Sequence, residues 1–304
     1  MPGKSNFHKG VFYASATALL WGVLAIVLKV SLKNFSPVDV AWARFFVAFI
    51  LLCLYLFIRK PSSFHFLLRP PLLVFAGAAC LGLNYLGFIS GINLTTPGIA
   101  QIFIQAGPVL LALSGFIFFK EKASVRQITG LVLVFGGMTV FYHDQILILA
   151  ENVRKYQIGV LWVIFGGVMW AFYAVIQKGL VRKHDPLQLN LVLFGLPAIG
   201  YLPFTDLQMI CSASALDWGI LIFLGCNTFL AYGSLAYAFK YLEANKVSVI
   251  ITLNPIITLV LMGILTIMNV GWIIHEKLTP VSMAGASMVI TGAVLTILKT
   301  KKSF

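Results

Sequence analysis

Ten runs of mostly apolar residues, each about 17–24 residues long, constrain the fold of this chain more than any other feature. An α-helix needs about 20 residues to cross the hydrocarbon core of a bilayer. Only 10% of the 304 residues are charged and 60% are hydrophobic, whereas a soluble domain carries roughly 25% charged residues. The short alternating segments of a membrane β-barrel are not present in the sequence. The sequence therefore predicts an all-α integral membrane protein.

The runs give the expected positions of ten transmembrane helices. They lie at about 10–31, 39–58, 71–92, 97–119, 126–142, 157–180, 187–204, 216–239, 246–268 and 280–298. The seventh is the weakest, because it contains two glycines and two prolines. Such residues are tolerated in a spanning helix when neighbouring groups satisfy the backbone.

A stretch near the N-terminus occurs a second time in the chain. Positions 21 to 37 read WGVLAIVLKVSLKNFSP, and positions 170 to 186 read WAFYAVIQKGLVRKHDP. The pairs matched at a shift of 149 positions (170−21) are Trp21 with Trp170, Ala25 with Ala174, Lys29 with Lys178 and Pro37 with Pro186. A constant shift over about 35 residues indicates an internal duplication.

The duplication continues towards the end of each half with altered spacing. Tyr85 with Tyr232 and Pro108 with Pro255 are 147 positions apart (232−85), whereas Glu121 with Glu276, Gly130 with Gly285 and Gly137 with Gly292 are 155 apart (276−121). Eight additional residues (155−147) therefore lie in the second half, between the proline and the glutamate. We place the two repeats at residues 1–145 and 146–304. Each has five spans, an odd number, so the second enters the membrane from the opposite side, and inverted repeats are typical of transporters.

The net charge of +13 reflects membrane topology rather than binding of nucleic acid. With the N-terminus inside, fifteen of the 22 lysine and arginine residues lie in inner loops and tails, and four lie in outer loops. Because cytoplasmic loops carry an excess of positive charge, both termini are predicted to be cytoplasmic.

The two halves share a set of motif residues across their fourth and fifth helices. In the first half these are Pro97, Pro108, Glu121, Lys122, Gln127, Gly130 and Gly137. In the second half they are Ala244, Pro255, Glu276, Lys277, Gly285 and Gly292. With a tryptophan in the first helix of each half, this pattern resembles the EamA family of the drug/metabolite transporter superfamily. The resemblance implies a ten-helix exporter of small metabolites, often amino acids, with a central cavity between the halves. The chain departs from it in its long ninth span and in Leu193, which stands where the repeat places the partner of Arg44.

Aromatic and amide side chains at membrane depth are the candidate substrate-binding residues. They are Trp21, Tyr85, Gln101, Gln105, Trp170, Tyr173, Tyr232 and Asn254. Polar groups are costly inside a membrane and mark transport pathways. The alternative for each amide is a hydrogen bond between helices, and the alternative for each aromatic residue is packing.

Prolines and basic residues inside the spans are the candidate moving parts. Pro108 and Pro255 each remove a backbone donor in mid-span and are predicted to kink their helices as hinges. Lys29, Arg44 and Lys178 lie near the ends of spans. They are candidate mouth charges for a carboxylate-bearing substrate, with snorkelling to the membrane surface as the alternative.

No carboxylate lies in the middle of a predicted span, and proton-coupled carriers usually need one. We therefore expect a facilitative exporter of the bacterial inner membrane that carries small metabolites, amino acids first. A proton-coupled drug or metabolite exporter is the alternative among transporters, and a membrane-embedded enzyme or a scaffold is the alternative outside them. No metal-binding, nucleophile or ATP-binding motif is found, so we expect neither cofactor nor catalytic residues. The expected partners are the substrate and the lipid bilayer, and either a monomer or a homodimer fits the sequence.

Overall fold

The computed structural model describes residues 4–121, 124–141, 143, 154–270 and 279–297, and these ranges contain helices but no strand. The helices are α1 (Lys4–Ser31), α2 (Pro37–Arg59), α3 (Leu72–Leu94), α4 (Pro97–Phe103), α5 (Ala106–Ile117), α6 (Val125–Phe141), α7 (Arg154–Leu180), α8 (Pro186–Tyr201), α9 (Leu207–Cys211), α10 (Ala215–Tyr241), α11 (Ala244–Ile251), α12 (Asn254–Ile267) and α13 (Pro280–Ile297). Two 3-10 helices lie at Pro61–Leu68 and Leu202–Phe204.

Eight helical segments in the described ranges are long and apolar enough to cross a membrane. Two of the eight, Pro97–Ile117 and Ala244–Ile267, each combine two consecutive helices. Two shorter apolar helices, Val125–Phe141 and Met283–Thr296, lie where the fifth and tenth spans are expected. The prediction of an all-helical, multi-pass membrane protein is therefore confirmed.

Local sequence signals explain where the second helix of each half begins. Ser36 accepts a hydrogen bond from the backbone N–H of Asp39 (3.2 Å), and the Asp39 carboxylate accepts one from the Ser36 N–H (3.1 Å). This capping box satisfies two donors that have no partner within the helix. Pro37 and Pro186 occupy the first helical position, where a missing N–H costs nothing.

The two segments expected as continuous proline-kinked spans are each broken into two helices. The first break lies at residues 104–105 and the second at 252–253, and the shift of 147 positions aligns them to within one residue (104+147 is 251). Pro108 has no N–H to offer the carbonyl of Ile104, four residues earlier, and that oxygen instead accepts from the Gly107 N–H at 2.9 Å. The break in each segment therefore lies shortly before the proline, and the proline falls in the first turn of the following helix.

The end of α12 has a left-handed residue near the position of the additional residues. Asn269 has φ 52°, a conformation that asparagine tolerates better than most residues. The N–H of Val270 returns to the carbonyl of Leu265 at 3.2 Å, which closes the last helical turn. The rest of the inserted segment and Glu276 lie outside the described residues.

The two halves of the chain pack against each other through matched helices. The most extensive contacts join α3 to α7, α6 to α13 and α1 to α10. Each pair contains one helix from either half. The first and third pairs also correspond to each other, because the repeat relates α1 to α7 and α3 to α10.

Glycines that recur in both halves form the contact between α6 and α13. A Cβ atom added to Gly137 would lie 2.7 Å from Met288 Cβ and 3.0 Å from the Gly285 carbonyl. A Cβ atom added to Gly292 would lie 2.5 Å from the Gly130 carbonyl. Helices in a membrane associate through such close approach of small residues. The repeated glycines therefore have a packing role.

We expect Gly137→Ala to destabilise the protein, because the added methyl group meets the backbone of α13. Overpacking of this kind costs about 1–3 kcal/mol. The matched control is Gly136→Ala, where an added Cβ has nothing within 4 Å. It should leave stability unchanged or raise it, since alanine favours a helix over glycine. Thermal unfolding in detergent measures both, and equal melting temperatures for the two variants would contradict this packing.

Candidate functional site

A set of polar and aromatic side chains converges on a cavity beside the first helix break. The lining residues are Trp21, Leu24, Arg44, Asn84, Tyr85, Phe88, Gln101, Ile104, Gln105, Pro108, Trp170, Tyr232, Ile251 and Asn254. They come from both halves of the chain. The cavity volume is about 60 Å³, enough for a few water molecules, whereas small-molecule pockets measure about 300–1,000 Å³.

The two repeated tryptophans meet in this cavity. The rings of Trp21 and Trp170 are 5.8 Å apart, edge to face, and the Trp21 ring is 5.3 Å from that of Tyr232. Tyr85, the repeat partner of Tyr232, lies 5.8 Å from it. Four aromatic residues predicted from the sequence therefore form one cluster, and their rings occupy much of the space between the halves.

Amide side chains join the two broken segments across the cavity. The Gln101 side-chain amide donates to Thr258 Oγ1 at 3.2 Å, and the Thr258 hydroxyl donates to the Gly22 carbonyl at 2.7 Å. The Gln105 side-chain amide donates to the backbone carbonyl of Gln101 and to Asn254 Oδ1, both at 3.2 Å. Because these acceptors are oxygens, the NH₂ groups point to them, and the amide oxygens are the free ends.

Three buried polar atoms in the cavity wall have no hydrogen-bond partner among the described residues. They are Gln101 Oε1, Gln105 Oε1 and Trp170 Nε1. The three side chains are 2%, 6% and 4% exposed. A buried polar group without a partner costs about 1–3 kcal/mol. Two acceptors and one donor of residues in the cavity wall are therefore left unsatisfied.

Arg44 lies in the cavity wall instead of near a mouth. It is 2% exposed, its Nε donates to Thr228 Oγ1 at 3.1 Å, and its guanidinium carbon is 4.2 Å from the centre of the Tyr85 ring. The sequence predicted that Arg44 lies near one membrane surface, because it follows the N-terminal end of α2 by only a few residues. Its lining position depends on the packing of α2 against α10, which the apolar pattern does not reveal.

Among the predicted substrate-binding and hinge residues, Tyr173 and Pro255 do not line the cavity. Tyr173 is fully buried behind Tyr232, with ring centres 5.7 Å apart, and its hydroxyl donates to Gln177 Oε1. The Gln177 amide donates to Asn190 Oδ1 at 3.0 Å, which continues this buried polar layer. Pro255 is buried next to the lining residue Asn254. Both residues support the wall from behind.

The repeated lysines bind the ends of matched helices. Lys29 Nζ donates to the carbonyls of Ile92 (2.8 Å) and Thr95 (2.7 Å), at the end of α3. Lys178 Nζ donates to the carbonyls of Phe239 (2.7 Å) and Leu242, at the end of α10. Both acceptors shift by 147 positions (239−92 and 242−95). A cation stabilises the carbonyls left without partners at a helix C-terminus.

Glu121 acts at the opposite kind of helix end. Its carboxylate oxygens accept from the backbone N–H groups of Ala244 (2.6 Å) and Asn245 (3.1 Å), in the first turn of α11. A negative charge is favourable there because the helix dipole is positive at its N-terminus. This contact joins the two halves of the chain.

The sequence reasoning missed two threonines, Thr228 and Thr258, that hold Arg44 and Gln101. A hydroxyl inside an apolar helix usually bonds to its own backbone, so neither threonine carried a signal. Arg44 did carry one, since a cation several residues into an apolar span is unusual. Among the described residues, no group of three or more metal-ligating side chains occurs.

The helices and the cavity between the halves define the class: a multi-pass helical membrane protein with a cavity lined by aromatic and amide side chains and one arginine. The chain belongs to the EamA-like transporter family, which it matches at residues 8–142 and again at 157–298. It is thus a membrane transporter.

Relatives from several organisms resemble the chain over nearly its whole length. An uncharacterized transporter of Haemophilus influenzae is 30% identical over 293 residues, which are 96% of this chain and 95% of the relative. The uncharacterized inner membrane transporter YhbE of Escherichia coli K12 is 29% identical over 287 residues, covering 93% and 89%. A solved crystal structure shares the fold with a TM-score of 0.73 at 18% identity, covering 94% of this chain and 95% of the other.

We expect Lys178→Met to destabilise the protein, because the buried carbonyls of Phe239 and Leu242 lose a charged donor. Losing a hydrogen bond to a charged group costs about 1.5–3 kcal/mol. The control is Lys240→Met, which removes an exposed lysine from the same end of α10. Thermal unfolding in detergent should separate the two variants by several degrees. If Lys178→Met melts at the same temperature as the unaltered protein, the hydrogen bonds of Lys178 do not stabilise the fold.

Proposed function

We propose that this protein is a facilitative exporter of small metabolites, amino acids first, that works by alternating access between two inverted five-helix repeats at residues 1–145 and 146–304. The substrate binds in the cavity between the halves. The partners are the substrate and the lipid bilayer, with no cofactor.

The observation that carries this proposal is the set of unpartnered polar atoms in the cavity wall. Gln101 Oε1 and Gln105 Oε1 are acceptors that suit an ammonium group, and Trp170 Nε1 is a donor that suits a carboxylate. A free amino acid carries both groups on one carbon. The aromatic rings of Trp21 and Tyr232 offer apolar surface to its side chain.

The small cavity requires movement before a substrate enters. A volume of about 60 Å³ is below that of a typical ligand pocket. The two helix breaks lie at its wall, and a broken helix at mid-membrane is a common site of binding and bending in transporters. We assign the hinges to the breaks that precede Pro108 and Pro255, with α5 and α12 as the moving halves.

Facilitated transport fits the positions of the acidic residues. No carboxylate lines the cavity among the described residues. Asp39, Asp185 and Asp217 lie at helix starts, and Glu121 caps α11. A group that exchanges protons with the substrate site usually lies at membrane depth.

We place the protein in the bacterial inner membrane with both termini in the cytoplasm. The Escherichia coli relative YhbE is named an inner membrane transporter. The excess of lysine and arginine in the loops on the side of the termini supports the orientation.

We expect Trp21→Ala and Trp170→Ala each to reduce uptake of radiolabelled amino acids into proteoliposomes at least tenfold, because each removes a wall of the substrate cavity. The control is Trp162→Ala, which alters a tryptophan on the outside of α7 that is 37% exposed. It should transport normally. Full activity in both Trp21→Ala and Trp170→Ala would indicate that the two tryptophans serve only to pack the helices.

The same vesicles distinguish the alternatives. Uptake that persists after a protonophore collapses the proton gradient supports facilitated transport, and its abolition would favour the proton-coupled exporter. If no amino acid or related metabolite enters faster than into empty vesicles, the enzyme or scaffold reading takes its place.

The orientation is tested by labelling single cysteines in intact cells with a membrane-impermeant maleimide. In a chain without its four native cysteines, Ser212→Cys should react and Ser62→Cys should react only after lysis. Both positions are exposed and lie on opposite sides of the proposed membrane. The reverse pattern would invert the proposed topology.

A further inference from the structure

The guanidinium of Arg44 is a cation inside the wall of the cavity. The guanidinium has five N–H donors, and the hydrogen bond from Nε to Thr228 Oγ1 uses one of them. The Tyr85 ring covers one face of the group at 4.2 Å. Tyr85 itself donates to Thr228 Oγ1 at 3.2 Å, so a single threonine positions both residues.

No carboxylate lies within 4.0 Å of this guanidinium among the described residues, whose ion pairs are Lys60 with Asp185 and Lys246 with Glu243. Burying a charge without a counter-charge costs several kcal/mol, and a ring face offsets only part of that cost. A buried arginine that has no carboxylate beside it indicates that a bound molecule supplies the negative charge.

Packing alone does not require a cation at this position. The repeat places Leu193 at the corresponding site of the second half (44+149), and Leu193 is buried in the apolar core of α8. An aliphatic side chain therefore fills the equivalent position. Only one half of the chain carries the charge, so the cavity has one cationic wall and amide acceptors elsewhere.

We propose that Arg44, held by Thr228 and Tyr85, is the residue that selects substrates with a carboxylate and binds that group in the cavity. The inference rests on the proposed transport function and narrows it to carboxylate-bearing molecules. The planar guanidinium binds a carboxylate through two parallel hydrogen bonds, which fixes the orientation of the substrate. Trp170 Nε1 lines the same cavity and provides a further donor.

The test measures thermal stabilisation of the purified full-length protein by matched probes. L-phenylalanine carries both charged groups, L-phenylalaninamide lacks the carboxylate, and 3-phenylpropionate lacks the ammonium group. L-leucine, L-leucinamide and 4-methylpentanoate repeat the comparison with a different side chain. We expect the unaltered protein to bind the acids at least tenfold more tightly than the matching amides.

Arg44→Gln should weaken binding of the acids at least tenfold and leave binding of the amides unchanged, so that the preference disappears. Arg44→Lys keeps the charge but loses the planar group that forms two parallel hydrogen bonds with a carboxylate. It should give an intermediate preference for acids over amides. The control is Arg59→Gln, which removes an exposed arginine from the end of the same helix. If Arg44→Gln is not monodisperse in detergent, Arg44→Lys alone decides the test.

Each outcome separates this inference from the proposed function. Amino acids that bind equally well to the unaltered protein and to the Arg44 variants would overturn the role of Arg44 and leave amino-acid transport standing. Tight, Arg44-dependent binding of 3-phenylpropionate without binding of L-phenylalanine would support the carboxylate site and refute the amino-acid substrate. A parallel loss of acids and amides, or no stabilisation of the unaltered protein by any carboxylate, would overturn the inference.

Discussion

A polar group inside a bilayer finds no water, so its partner must come from the protein, and this constraint explains much of the structure. The two repeated lysines bind carbonyls at helix C-termini, and Glu121 binds N–H groups at the start of α11. The helix breaks obey the same rule. The carbonyl of Ile104, one turn before Pro108, accepts a hydrogen bond from the Gly107 N–H instead.

This rule also separates polar groups whose partners all lie within the protein from polar groups that lack some of their partners. Lys178 looks as promising as Arg44 in the sequence, since each is a cation within an apolar span. In the structure the ammonium of Lys178 binds helix-end carbonyls, whereas the guanidinium of Arg44 faces the cavity with one hydrogen bond and a ring. The unpartnered oxygens of Gln101 and Gln105 fall in the same class as Arg44. Gln101, Gln105 and Arg44 all line the same cavity.

The duplication gives each half equivalent contacts, and the differences between the halves give the cavity its polarity. Trp21 with Trp170 and Tyr85 with Tyr232 meet as matched pairs, so the aromatic cluster has contributions from both sides. The polar residues lack this symmetry. In the second half, Leu193 corresponds to Arg44, and Ser248 and Thr252 correspond to Gln101 and Gln105. The cavity therefore combines matched aromatic residues with polar residues that only the first half supplies.

The sequence by itself determined the helical membrane class, the helix positions within a few residues, and the pairing of Trp21 with Trp170, because apolar length and repeat spacing are local properties. Seven of the fourteen residues that line the cavity are among the eight that the sequence predicts as substrate-binding, because an aromatic or amide side chain within an apolar span stands out in the sequence. Only the tertiary structure decided which face of each helix meets the cavity. The helices are apolar nearly all round, so no periodic pattern shows their rotation. That rotation buried Tyr173 behind Tyr232, brought Lys29 and Lys178 onto helix ends, and turned Arg44 from an expected mouth residue into part of the cavity wall.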